Sequence, residues 1–341
     1  MSKEGRRIVA ARSVVALVCR VAAFLQPKRI MRNGYSEDSA RNRVVDSDST
    51  LCRPRVLVAV LVVFVFFVTA SFSGFTDAAE SGRGELITQQ GGITLTVYTY
   101  HPGGCVSRGL MLVFHGARRN ADDYRDYTRR FARRACLSVY APLFDRERFK
   151  SWQYQRGGII RKGVMQPPDE WTVSVVRHLV QWALAREGGV DKPVYLFGHS
   201  AGGQFLSRVA AYAPSTRVRR LVVMNPSTHV WPATDELIPF GFGWFPKPVV
   251  ALKQYLRLPV TIYLGSEDTG SRNLYRNAAA DRQGANRLER GINAFNAGRA
   301  LARGEGWDFN WKLVIASGVG HSLGRMLRAP EADRAFGLDD P

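Results

Sequence analysis

Cysteine is scarce in this chain, with four residues in 341. None forms a CxxC pair and none stands in a Cys/His cluster of zinc spacing, so neither a metal site nor a cofactor is expected. Acidic residues are also few, 29 Asp and Glu against 48 Lys and Arg, for a formal net charge of +19. Such a surface attracts polyanions. The arginines are scattered, however, and no basic run is interleaved with aromatics. The charge therefore reads as a solvated basic surface, and no nucleic-acid partner is expected. Internal repeats and low-complexity tracts are absent, which excludes solenoids and fibrous arrays. At 45% hydrophobic and 11% aromatic, the composition excludes a disordered chain.

Charge is missing altogether from Val56 to Thr76, where a Val/Leu/Phe-rich run gives way to small residues. Arg53 and Arg55 precede it, and Asp77 and Glu80 follow. The run is long enough to span a bilayer as a helix of about 20 residues, and its apolar core is also signal-peptide sized. The expected organisation is a basic N-terminal region over 1–55, a signal peptide or transmembrane anchor over 56–79, and a catalytic domain over 80–341. Both alternatives keep the arginines cytoplasmic and send the remainder outward. If uncleaved, the 56–76 segment would tether the chain to the membrane.

From Glu85 onward, strand-like and helix-like runs alternate. The strand-like runs are Thr94–Tyr100, Leu110–Phe114, Leu137–Pro142, Val194–Phe197, Leu221–Met224, Val260–Leu264 and Lys312–Ile315. Helical patterns occupy Ala121–Arg134, Val173–Arg186, Gln204–Tyr212, Ala285–Ala302 and Leu323–Leu327. This alternation predicts an α/β fold with a mostly parallel central sheet and helices on both faces. Phe240-Gly-Phe-Gly-Trp-Phe-Pro is an aromatic insertion between two strands, either a lid or plain packing. Asn120, three residues before Asp123, is expected to cap the helix that follows.

The chemistry is concentrated in Gly198-His199-Ser200-Ala201-Gly202-Gly203, which follows one strand-like run and opens a helical one. A strand-to-helix turn this tight needs glycine at its flanks and lifts the serine hydroxyl out of the sheet. A serine hydroxyl needs a base, and the base needs an orienting carboxylate. After Ser200, strand Val260–Leu264 ends in Gly265-Ser266-Glu267-Asp268. Strand Lys312–Ile315 ends in Gly318-Val319-Gly320-His321. Both ends lie where open α/β sheets place their ligand crevice. The expected catalytic set is Ser200 as nucleophile, His321 as base and Asp268 as orienter, with Glu267 as the alternative acid. His229, which follows the strand before the acid's, is set aside by chain order. Phe114-His115-Gly116-Ala117 follows an earlier strand. Backbone N–H groups of Ala117 and Ala201 are the expected oxyanion hole, and His115 is expected in a structural hydrogen bond.

Together, His-Gly after one strand, Gly-His-Ser-Ala-Gly, Gly-Ser-Glu-Asp and Gly-Val-Gly-His resemble the α/β-hydrolase superfamily. Within it the chain is most similar to bacterial polyhydroxybutyrate-depolymerase-like and feruloyl-esterase-like serine hydrolases. The resemblance runs from about Ile93 to Leu327. It implies cleavage of a carboxylic ester, small or polymeric, through an acyl-enzyme. A peptidase or acyltransferase on the same scaffold, or a non-catalytic binding module, are the alternatives. Trp152 and Tyr154, after strand Leu137–Pro142, are expected to line a substrate pocket, with core packing as the alternative. Arg118 and Arg119 are candidates to meet an anionic group. In this fold the strands after Cys105 and Cys136 are parallel neighbours, so a Cys105–Cys136 disulfide is expected, as suits an oxidising compartment.

Overall fold

The computed structural model describes residues 81–189 and 191–339. The apolar run at 56–76 and the regions expected over 1–55 and 56–79 lie outside the described residues. Among the described residues, no helix is long and apolar enough to cross a membrane.

In chain order the strands are β1 (Gly82–Gln90), β2 (Ile93–His101), β3 (Gly109–Phe114), β4 (Leu137–Pro142), the two-residue β5 (Ile160–Arg161) and β6 (Val164–Met165), β7 (Val194–His199), β8 (Arg220–Met224), β9 (Val260–Gly265) and β10 (Lys312–Ala316). The helices are α1 (Ala121–Ala135), α2 (Val175–Arg186), α3 (Ala201–Tyr212), α4 (Pro248–Arg257), α5 (Ala278–Gln283), α6 (Arg287–Glu305), α7 (Leu323–Met326) and α8 (Ala332–Phe336). Eight strands form one sheet in the order β1-β2-β4-β3-β7-β8-β9-β10. β1 and β2 pair antiparallel, as do β2 and β4, and every other pairing within this sheet is parallel.

The central strands β3, β4, β7, β8 and β9 are buried at every residue. Their predominantly apolar runs follow from having helices on both faces. Alternate residues serve two cores. Leu110, Leu112, Phe114 and Leu196 pack with α2, α3, α4 and α6, while Met111, Val113 and Phe197 pack with α1, α7 and α8. Among the elements that sequence pattern did not reveal are β1, a polar edge strand with two glycines, and the short helix α4.

Helix α1 carries Asp122 and Asp123 in its first turn and Arg133 and Arg134 in its last, an arrangement that complements its dipole. Asn120 stands at its N-cap position but makes no capping bond. Its amide donates to Asp123 Oδ2 at 2.7 Å instead. At the other end Cys136 takes a left-handed conformation (φ 54°) and turns the chain directly into β4. β3 and β4 pair with Gly109 opposite Leu137, which brings the segment before β3 beside Cys136. Cys105 and Cys136 form the expected disulfide, with Cα atoms 6.3 Å apart and a sequence separation of 31. In the chain-entropy treatment a loop of this size stabilises the fold by about 3–4 kcal/mol.

Candidate active site

The site begins where β7 stops, between β3 and β8 in the middle of the sheet. Ser200 has φ 58° and ψ −114°, a strained conformation for a residue with a side chain. It is held there because the turn has no room to relax. A methyl group on Gly198 would collide with the Gly202 carbonyl, and one on Gly202 with the Phe114 carbonyl. The Ser200 N–H donates to Met224 O on the neighbouring strand at 3.0 Å, and its carbonyl accepts from Gln204 N at 3.0 Å as α3 begins.

The loops after β9 and β10 are tied together. Glu267 N donates to Val319 O at 3.0 Å, and Gly318 N donates to Ser266 Oγ at 2.9 Å. This register carries His321 over the elbow. Its Nε2 lies 3.0 Å from Ser200 Oγ, and its Nδ1 lies 2.6 Å from Asp268 Oδ2. Asp268 is 2% exposed, and a buried carboxylate accepts from Nδ1–H, so Nε2 is left to accept the serine hydroxyl. Glu267, next door, points to solvent beside Gly318. The three residues expected as nucleophile, base and orienter thus meet in one hydrogen-bonded line, and the alternative acid stands outside it.

The loop after β3 borders the same point. A methyl on Gly116 would lie 3.9 Å from Ser200 Cβ. His115 is fully buried, and its ring joins two strand ends. Nε2 accepts from Phe144 N at 3.0 Å, so Nδ1 carries the proton and donates to Gly116 O at 3.0 Å. Burial pushes its pKa down to about 3 and keeps it neutral. Arg119 N also donates to Gly116 O, at 3.2 Å. With that carbonyl held from two sides, the trans-planar peptide aims the Ala117 N–H the opposite way. Ala201 is the first residue of α3, so its N–H has no partner within the helix.

Two neighbours were not foreseen. His199 is buried, with its ring centroid 4.6 Å from that of His321 and Nδ1 3.0 Å from Tyr124 Oη. Burial first, and then the adjacent His321, push its pKa well below the ordinary value, so it stays uncharged. Arg287, 2% exposed, places Nη1 3.5 Å from the outer oxygen of Asp268. No local motif marks it, because its partner is 19 residues upstream on another element.

Two expectations about the surroundings need correction. Tyr154 lines no pocket. It is 0% exposed, stacked between Phe144 and Phe205, and its hydroxyl donates to His115 O at 2.7 Å. Arg119 is no anion receptor. Its guanidinium lies over the Tyr154 ring at 4.4 Å and donates to Phe144 O and Phe149 O at 2.9 Å each. Both side chains fasten the long loop after β4 to the loop after β3. Trp152 remains half-buried under Arg161. Arg118 is exposed, and so is Arg146, which donates to Ala117 O at 2.9 Å. The aromatic insertion is mixed, for Phe242 is core while Trp244 stands 69% exposed.

The sequence model for the α/β-hydrolase fold matches residues 113–272, which span the elbow and the acid loop. Among solved structures, LpqC, a poly(3-hydroxybutyrate) depolymerase from Bordetella parapertussis, is 30% identical. The match covers 76% of this chain and 96% of that one at a TM-score of 0.70. The chain belongs to the α/β-hydrolase family. Poly(aspartic acid) hydrolase-1 from Sphingomonas sp. KT-1 is similar to this hydrolase at 31% identity, over 73% of this chain and 96% of that one, with a TM-score of 0.69. No protein of curated function matches the hydrolase's sequence.

Proposed function

We propose that the hydrolase cleaves carboxylic esters through an acyl-enzyme at Ser200. The observation that carries this reading is the line Ser200 Oγ, His321, Asp268, with contacts of 3.0 and 2.6 Å. Nε2 of His321 takes the Ser200 proton as Oγ attacks the carbonyl carbon. The resulting oxyanion is stabilised by the N–H groups of Ala201 and Ala117. The imidazolium then protonates the leaving alkoxide, the acyl-enzyme remains, and a water deprotonated by His321 releases the acid. The buried carboxylate of Asp268 fixes the His321 tautomer and stabilises its charged form. The depolymerase relative supports an ester substrate, which is easier to cleave than an amide because an alkoxide leaves with less assistance.

A second reading has one observation in its favour. Arg118, on the loop after β3, and Arg146, which donates to Ala117 O of that loop, are exposed cations, and the poly(aspartic acid) hydrolase is a relative named for a polyanion. An anionic amide polymer would suit that rim. A panel of p-nitrophenyl acyl esters, matched anilides, poly(3-hydroxybutyrate) and poly(aspartic acid) separates the two. The ester reading expects the esters to be cleaved at least about 100-fold faster than the anilides, a gap of roughly 3 kcal/mol in barrier. Turnover confined to poly(aspartic acid) would favour the second reading and overturn the first.

We place the hydrolase outside the cytoplasm, because the Cys105–Cys136 disulfide suits an oxidising compartment. Trapping thiols in intact cells and mapping the peptides should return Cys105 and Cys136 joined. Two alkylated thiols would contradict this location.

A further inference from the structure

The acid loop and the start of α6 meet at Arg287. Asp268 and Arg287 are each 2% exposed, so the carboxylate stands where an ionised group is costly unless paired. Its Oδ2 is taken up by His321. Its Oδ1 faces Arg287 Nη1 at 3.5 Å. The same guanidinium donates to Gly270 O at 3.3 Å and Arg272 O at 2.7 Å, so one fork spans the acid and the backbone just beyond it. The fork is launched from a fixed point. Arg287 is the first residue of α6, whose N-cap Asn286 accepts from Glu289 N through its side chain at 2.9 Å.

We propose that Arg287 is a positioning residue for the Asp268–His321 pair, holding the buried carboxylate in place and opposing part of its field at His321. This rests on the acyl-transfer reading above. The groups that face His321 are few. Ser200 and the uncharged His199 face it from the elbow, and Asp268 from the acid loop. Exposed Glu267 packs beside Gly320. Arg325, on α7, donates to Gly318 O at 3.0 Å. The negative charge of Asp268 favours the imidazolium, and the cation of Arg287 behind it cancels part of that field. Remove the cation and the imidazolium is favoured more strongly, so His321 loses its proton at higher pH. A lysine at 287 would keep the charge but lose the fork that reaches Gly270 and Arg272.

The test is the pH profile of kcat/KM for an activated ester in the parent, Arg287→Gln and Arg287→Lys. The acid limb of Arg287→Gln should move up by about one pH unit, with kcat reduced by about tenfold. Arg287→Lys should keep the parent's limb while losing kcat. An unmoved limb in Arg287→Gln, or equal displacement in both variants, overturns the proposal. Labelling of Ser200 by a fluorophosphonate in every variant keeps a failure here apart from a failure of the acyl-transfer reading, which would leave the parent itself unlabelled. Where Arg287→Gln does not accumulate folded, the double variant Arg287→Gln/Asp268→Asn decides. Removing both charges leaves neither an unpaired carboxylate nor an unpaired guanidinium, so it should fold at least as well as Asp268→Asn alone. A double variant as unstable as Arg287→Gln would mean that Arg287 acts only as a tie to the backbone, against the proposal.

Discussion

Replacing Ser200 with alanine should lower kcat for ester hydrolysis by at least about 10⁴-fold while leaving the fold intact, because loss of a triad nucleophile removes the covalent path altogether. The fold should survive for local reasons. The elbow is held by backbone bonds, Ser200 N to Met224 O and Gln204 N to Ser200 O, and by the glycines around it. The hydroxyl's bond is to His321, whose side chain is 32% exposed and can turn to water instead. Alanine tolerates the positive φ about as poorly as serine does, so the strain is unchanged. KM should move little, since the hydroxyl contributes to bond-making more than to binding. Steady-state hydrolysis of a p-nitrophenyl ester, with circular dichroism as the control for folding, checks this. An alanine variant within about tenfold of the parent would remove Ser200 from the mechanism.

The second large effect concerns the choice of acid. Asp268→Asn should lower kcat by about 10⁴-fold, the consequence of presenting His321 with an amide that no longer holds Nδ1–H in place. Glu267→Gln should change kcat by less than about threefold, because that side chain is exposed and touches neither His321 nor Ser200. The contrast is sharp because the two residues are adjacent and the same chemical change is made at each. A larger loss from Glu267→Gln would reverse the assignment. Charge also predicts a difference in stability. Asp268→Asn leaves Arg287 buried without its carboxylate, and an uncompensated buried charge costs about 3–5 kcal/mol, whereas Glu267→Gln should leave the denaturation midpoint unchanged.

The elements that sequence made legible share a physical property, namely that their signals are local. Each buried central strand is a predominantly apolar run, and each polar residue of the Ser200–His321–Asp268 line lies within a few residues of a strand's end. The elbow is legible because Gly198 answers a collision with the Gly202 carbonyl, within five residues of chain. Where the determining contacts are distant, the pattern falls silent. Tyr154 looks like a pocket aromatic on a loop, and its burial depends on Phe144, Phe205, Arg119 and the His115 carbonyl, which three other segments supply. Arg287 looks like one more surface arginine in a basic chain until α6 is set against the acid loop. Helix α4 escaped notice because it is short and begins Pro248-Val249-Val250, with β-branched residues that suit a strand equally well.

The buried arginines bear on the charge as well. Arg208, Arg287 and Arg290 are among the largest fully buried side chains. Among the described residues no carboxylate pairs with Arg208, which donates to the carbonyls of Pro239, Gln204 and Thr228. Burial lowers its pKa to about 10, still far above neutrality, so it remains charged. Part of the net positive charge thus serves to fasten the loops that follow β8 and β9 around the site.

The most direct test of the account is the intact mass of the purified hydrolase after exposure to a fluorophosphonate, followed by peptide mapping. The account predicts one covalent adduct, located on Ser200, absent from Ser200→Ala, and formed more slowly in Asp268→Asn. An unmodified parent, or an adduct on any other residue, would contradict it.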